Sequence, residues 1–495
     1  VAFGIDLVLT TLSKTSKQVG ILVLSIVLTR YLTQTDYGTY LHVQLIANVA
    51  IWTFMLGIPH SVYYFLPKVR QQRTMMLTTV ALMMTIAGLV GISVIAFGDQ
   101  LSNLLNNPSL KNLIYITAGI AFFQIPLAIY EPALIASNKV RTFIMTDSVF
   151  NIGFFLVILI PTLMTGDIKT ILISLCAFHG IQLLVYLFVL VRTALQFNNS
   201  NDGDDYRVRE QLEYSLPIGL SQGIFELSRY GDKVIVSHFF DPATLAIYTR
   251  GAMDIPLLNI INNTIDNLMM PKLIEAYKDK CAQSLLKLWH DTIALTASFM
   301  YPSFFFLIFT APYLIPGLYG DDYKEAVPIF QIYSCGIIFR VSTYNVIVRV
   351  IGKTGMMAWV AAFSETANIL GTIILVKNFG LWGAPFATIL SYMIIVFGYL
   401  LGISRRLEVS LAAIFPWRIL FGVGAIAGIA TIPLIPIHYL IELGHLSLGY
   451  WPALGIMAVV YSLVYWALMR FLPVLQENHR EMLRSMLPSR LRILI

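Results

Sequence analysis

Tyr214 to Phe240 reads YSLPIGLSQGIFELSRYGDKVIVSHFF. Its length and its Leu, Ile, Val and Phe content fit a helix that crosses a hydrocarbon core. Yet Glu226, Arg229, Asp232 and Lys233 fall inside it. A charge at the bilayer centre costs about 3 kcal/mol or more, so such side chains face water, a partner or a cargo. The first apolar segment carries Lys14 and Lys17 at a similar depth. Two cationic sites six segments apart predict two halves of one chain around a polar interior, built to move an anionic group through a membrane.

Composition supports a membrane protein. Of 495 residues 57% are hydrophobic and 12% charged, whereas an ordinary soluble domain is about 25% charged. Apolar stretches near the spanning length recur along the chain, and β-barrel strands, alternating every second residue, do not fit them. The expected fold class is an all-α polytopic membrane protein of about 14 transmembrane helices. Its spans are 5–30, 39–66, 75–98, 112–137, 143–166, 169–195, 214–240, 244–271, 288–316, 324–350, 356–377, 379–403, 415–439 and 449–472.

Loops after even-numbered spans collect the basic residues, among them Lys68, Arg70, Arg73, Lys139, Arg141, Arg192, Lys272, Lys278, Arg349, Arg405 and Arg406. Loops after odd-numbered spans hold only Arg30, Lys111, Lys169, Lys324 and Lys377. By the positive-inside bias both termini are expected in the cytoplasm. The first segment is too long and polar for a cleavable signal peptide. The polar, acidic run in 196–213 reads as a cytoplasmic linker. The expected organisation is then a six-helix bundle over 1–195, that linker, a second six-helix bundle over 214–403, two further helices over 404–472, and a basic cytoplasmic tail over 473–495.

The halves echo one another. Tyr31 to Tyr40 and Phe239 to Tyr248 each run from an aromatic residue through a polar turn to a small residue two positions before a tyrosine. Spans two and eight end in Pro67-Lys68 and Pro271-Lys272. Repeats of the same orientation pack around an axis along the membrane normal, with the site between them.

These residues also carry a family resemblance. Leu28-Thr29-Arg30-Tyr31-Leu32 with Asp36-Tyr37-Gly38, and Asp232-Lys233 with Phe239-Phe240 and Ala246-Ile247-Tyr248, resemble the polysaccharide and O-antigen flippases of the multidrug/oligosaccharidyl-lipid/polysaccharide exporter superfamily. The resemblance covers roughly the first twelve spans. It implies a V-shaped pair of six-helix bundles and a cargo of undecaprenyl-pyrophosphate-linked glycan. It also implies residence in a bacterial or archaeal plasma membrane, beside a glycan polymerase and chain-length machinery. The lipid-linked peptidoglycan precursor flippases of the same superfamily also have fourteen spans.

Fixed cations at mid-depth offset the desolvation of a sugar-pyrophosphate head. Arg229 and Lys233 are the first candidates, then Lys17 and Lys14, then Arg340 and Arg250. The alternative for span seven is self-neutralisation, Glu226 with Arg229 and Asp232 or Glu226 with Lys233. For Arg340 the expected structural partner is Glu365 in the next span. Asn259, Asn262, Asn263, Asp266 and Asn267 share one helical face. That stripe suits sugar hydroxyls or interhelical hydrogen bonds, and Asp254 and Asp266 are alternative carriers of a coupling cation or proton. Glu131 and Asp147 read as interfacial, and His42, His60, His179 and His238 as packing or interfacial residues.

Several functions are set aside. Cys176, Cys281 and Cys335 are too scattered for a metal or redox motif and read as small apolar residues. The chain has no GxxxxGK[ST] phosphate cradle, so no ATPase engine and no cofactor is expected, and its basic charge serves orientation rather than nucleic acid. A membrane glycan polymerase or ligase would need a large outward loop. A cation-coupled drug antiporter would need a cavity dominated by carboxylates. The tail's Arg480, Arg484, Arg490 and Arg492 suit a surface helix or a plain basic tail.

Overall fold

The structure is a computed structural model and describes residues 19–197, 204–278, 281–342, 344–446, 448–472 and 474. Lys14, Lys17 and the basic tail from 475 onward lie outside the described residues. Packing divides the chain into two compact units, 1–246 and 247–495.

The first unit holds α1 (Val19–Tyr31), α2 (Gln34–Phe54), α3 (Ile58–Phe65), α4 (Gln72–Ala96), α5 (Gly98–Leu104), α6 (Leu110–Leu127), α7 (Tyr130–Ala136), α8 (Val140–Met164), α9 (Ile168–Leu195) and α10 (Val208–Phe239). Helix α11 (Pro242–Gly251) runs across the division. The second unit continues with α12 (Pro256–Ala276), α13 (Ala282–Tyr319), α14 (Ala326–Ser334), α15 (Gly336–Phe339), α16 (Tyr344–Val350), α17 (Thr354–Phe379) and α18 (Gly383–Leu407). It ends with α19 (Leu411–Ile414), α20 (Trp417–Ile429), α21 (Leu434–Glu442) and α22 (Tyr450–Phe471).

The expected all-α class holds: each of the fourteen segments is helical over most of its described residues. Among the described residues nine helices are long and apolar enough to cross a membrane, or ten if the bent pair α2–α3 is one span. The remainder are broken, short or polar. Among the described residues, breaks interrupt five of the expected spans, at 55–57, 128–129, 252–255, 340–342 and 430–433. They matter because unwound backbone at membrane depth persists only where protein or water satisfies its polar groups.

The motif residues of the first turn have local work. Thr33 caps α2, its Oγ1 accepting from the Asp36 N–H at 3.1 Å and donating to the Asp36 carboxylate at 2.7 Å. A Cβ at Gly38 would land on the Pro242 carbonyl, so glycine lets the two turns touch. Tyr37 and Tyr248 are both buried. Asp167 caps α9 likewise, accepting from the Thr170 hydroxyl at 2.7 Å and the Thr170 N–H at 2.9 Å. Those bonds hold the Asp167 carboxyl below the usual carboxylate range. A depressed folded value means the stabilisation is present above the unfolded value and is lost as pH falls through the folded one. Asp167→Ala is expected to cost about 0.5–1 kcal/mol at neutral pH and to cost nothing in strong acid, read from unfolding midpoints at the two pH values.

The change of composition at 196–213 and the change of packing do not coincide. Residue 204 is bridged to the first unit: Arg70 N–H donates to the Asp204 carbonyl at 2.9 Å and Asp204 N–H to the Lys68 carbonyl at 3.1 Å. At the start of α10 the fully buried Gln211 amide donates to Ser61 Oγ at 2.9 Å and Thr79 Oγ1 at 3.1 Å. Its oxygen accepts from the Tyr206 hydroxyl at 2.7 Å. A buried amide has to keep such partners, and they fasten α10 to α3 and α4. The seventh span therefore packs with the first unit, one helix beyond the boundary that the loop suggested.

Candidate functional site

In the first unit α10 lies against α2 and α3 at their 43° bend. Leu56 and Gly57 take positive φ there, 50° and 68°. Gly219 meets them backbone to backbone: a Cβ at 219 would fall on the Leu56 carbonyl carbon and 2.5 Å from Gly57 N. One turn further, Gln222 Nε2 is 2.9 Å from the His60 imidazole.

The four charges follow in the next turns. Glu226 and Asp232 are buried, each 8% exposed. Arg229 Nη1 lies 3.2 Å from Glu226, with 61% of the arginine side chain exposed. Lys233 Nζ lies 3.3 Å from Asp232 Oδ1, with 23% of its side chain exposed. Both expected self-neutralising contacts therefore form. The acids are enclosed by protein, while the Arg229 head is presented outward. An ion pair with one partner this exposed holds about 1 kcal/mol, so a more highly charged anion can take Glu226's place.

The second unit gathers a different group. Arg340 sits where the helix between α15 and α16 is unwound, and Asp254 where α11 and α12 part. Arg340 Nη1 donates to Asp254 Oδ1 at 3.0 Å and to Asn259 Oδ1 at 3.2 Å. Its Nη2 donates to the Tyr392 hydroxyl at 2.9 Å. Asn262 Nδ2 donates to the Arg340 carbonyl, which the break leaves without a helical partner, at 3.2 Å. A cavity of about 20 Å³ beside them, lined by Met253, Asp254, Leu258, Ser334 and Arg340, has room for one water.

This corrects the expected Arg340–Glu365 pair: the partner is Asp254, because unwinding at 252–255 turns its carboxylate to the facing break. Asn259 and Asn262 serve interhelical bonds, whereas Asn263 on the same helix is exposed and Asp266 half-buried. Arg250 goes elsewhere, its guanidinium 5.4 Å above the Tyr319 ring. Tyr392 and Gln211 were missed. A tyrosine inside an apolar span needs a partner for its hydroxyl, and that was the available signal.

Arg340→Met is expected to cost about 2 kcal/mol, since several bonds to a charged donor are lost and Asp254 stays behind. Asp254→Asn on that background should recover part of the loss, and a double-mutant cycle on the detergent-solubilised protein measures the coupling.

Residues 27–328 match the family described as Polysaccharide biosynthesis protein. The Capsular polysaccharide biosynthesis protein CapF of Staphylococcus aureus is 21% identical over 216 residues, 43% of this chain and 54% of that protein. The match thus spans about half the length of that relative. Among solved structures, the lipid II flippase MurJ in an inward closed conformation is similar with a TM-score of 0.70 at 16% identity, over 94% of this chain and 98% of that one. A multidrug resistance MATE family transporter of the MOP superfamily, inward-facing, is similar with a TM-score of 0.59 at 13% identity, over 79% and 94%. At these identities the likeness establishes the fold alone, a multi-pass helical membrane fold.

Proposed function

The chain belongs to the polysaccharide biosynthesis protein family, and on that premise we propose that it is a flippase for a lipid-linked oligosaccharide. It moves an undecaprenyl-pyrophosphate-linked glycan from the cytoplasmic to the outer leaflet by alternating access. It does so in a bacterial or archaeal plasma membrane, with both termini in the cytoplasm. The observation that carries this reading is the composition of α10, whose buried acids hold Arg229 with its guanidinium exposed within a span. Arg229 and Lys233, joined by Lys14 and Lys17 of the first span, receive the pyrophosphate, and Asn263 and Asp266 meet sugar hydroxyls. Arg340, Asn259 and Asn262 keep the second unit's broken helices in register, and Arg250 braces α11 against Tyr319.

A lipid-linked cargo is favoured by an apolar groove in the second unit, about 770 Å³, lined by Tyr301, Phe304, Ile338, Trp417, Phe421 and Ile432. Such a groove suits a polyprenyl tail while the head crosses elsewhere.

The test is reconstitution of the full chain in liposomes that carry a fluorescent undecaprenyl-pyrophosphate oligosaccharide in one leaflet. Exposure of the glycan to an impermeant glycosidase on the other side is the expected result. Efflux of a cationic dye without glycan movement would sink the flippase reading and favour the cation-coupled drug antiporter, which the likeness to the MATE family transporter keeps as a rival.

A further inference from the structure

Away from the charged helix, the first unit has a second polar seam, buried among α6, α7, α8 and α9. His179, 6% exposed, lies about 16 Å along α9 from its start, near the middle of the span. One ring nitrogen, Nε2, is 2.7 Å from Gln124 Nε2 on α6. The other, Nδ1, is 3.2 Å from Gln182 Oε1, and Gln182 Nε2 donates to the Tyr186 hydroxyl at 3.2 Å. Tyr186 stacks on Tyr130 with ring centroids 3.5 Å apart, and the Tyr130 hydroxyl is 2.7 Å from Thr146 Oγ1.

The two glutamines make the imidazole equally well bonded in both protonation states. In the neutral ring, Gln124 donates to Nε2, so the ring proton sits on Nδ1 and goes to Gln182 Oε1. In the imidazolium both nitrogens donate. A half-turn of the Gln124 amide then presents Oε1 in place of Nε2, and both ring N–H groups keep an acceptor. An apolar or carbonyl-only neighbour would satisfy one state and penalise the other.

The charged and titratable groups on the elements packed against α9 are unevenly placed. On α8 stand Arg141 in the first turn and Asp147, held by Asn151 at 2.8 Å and two turns from Phe154, whose ring is 6.2 Å from His179. On α7 stand Tyr130 and Glu131, and on α9 itself Lys169, Cys176, Tyr186 and Arg192. Helix α6 carries Lys111 and Tyr115 in its first two turns, α4 only Arg73 at its start, and α2 Asp36, Tyr37, Tyr40 and His42. Asp147 therefore stands about 10 Å from the level of the ring by helical rise, with Arg141 and Arg192 further toward the same end.

We propose that His179 is a proton-binding site, taking a proton at Nε2 and returning it from there as the protein moves between states. The binding follows from the geometry of the seam; its exchange within the transport cycle rests on the flippase reading. A histidine buried only for packing would keep one state throughout.

The experiment uses the full chain in liposomes with isotope-labelled histidine rings, followed by infrared difference spectra across roughly pH 5 to 8. Among the imidazolium bands of the eight histidines, one is expected in the native protein and absent from His179→Asn. In Gln124→Glu that band should persist into more alkaline buffer, and in Gln124→Met retreat to more acidic buffer, each by roughly tenfold or more in proton concentration. These two variants keep the histidine, so they read the site even if His179→Asn folds poorly. Superimposable spectra of the native protein and His179→Asn, or a band indifferent to residue 124, overturn the site.

Translocation of the fluorescent lipid-linked glycan in the same liposomes should respond to an imposed pH gradient, and lose that response in His179→Asn. A response unchanged in the variant, or missing from the native protein, overturns the coupling. An intact titration with no glycan movement at all supports the proton site and rejects the flippase reading.

Discussion

Alanine at both Arg229 and Lys233 is expected to cut glycan export about tenfold or more, the equivalent of about 1.4 kcal/mol of lost anion binding. Stability falls as well. Asp232 and Lys233 are 7% and 23% exposed at their side chains, and breaking such a mostly enclosed pair from one side costs about 3 kcal/mol, whereas the Arg229 pair adds little. Taken alone, the double variant would confuse a folding defect with a lost site. Adding Glu226→Gln and Asp232→Asn separates them, because the quadruple variant leaves no uncompensated charge. Its unfolding midpoint should recover most of the loss while export stays low. Surface glycan and accumulated precursor read the second quantity, and normal export from the quadruple variant would defeat the cationic-site model.

The second large effect is steric. Gly219→Val should destabilise the first unit by about 3 kcal/mol, at the upper end of overpacking penalties. The new Cβ meets the backbone of Leu56 and Gly57, not the end of a flexible side chain. Backbone at a bend with two positive φ angles has little freedom to retreat. Helix α10 must then lift, and the Gln222–His60 contact next to it opens. Gly223→Val one turn on, where the nearest atoms lie 3.6 Å and 3.8 Å away, should cost far less. Equal losses of thermal midpoint in the two variants would contradict the assignment of Gly219 as the crossing point.

Much of this was legible along the chain because it is local. Glu226 and Arg229 are three apart on a helix, so their contact follows from the helical repeat alone, and it forms at 3.2 Å. Asp36 sits three residues after Thr33, a spacing that closes a helix cap. The partner of Arg340 was not legible. Helical spacing and depth pointed to Glu365, but both Arg340 and its true partner Asp254 stand at breaks, where the period that such reasoning needs is suspended. Gln211 was placed in a linker by its polar neighbours, yet its amide is buried between Ser61 and Thr79. His179 read as a packing residue because its glutamine partners are 55 positions away on α6 and one turn away on α9.

By itself, the sequence determined the membrane-spanning helical class and the presence of charge within otherwise apolar segments. These follow from hydropathy and helical periodicity, which depend on neighbours within a few turns. Tertiary structure alone decided which charges are enclosed and which presented, where helices part, and that α10 belongs with the first unit. The reason is that desolvation and hydrogen-bond partnership are set by atoms brought together across the fold. A buried amide or carboxylate has no preference written in its own stretch of chain until packing supplies its partners.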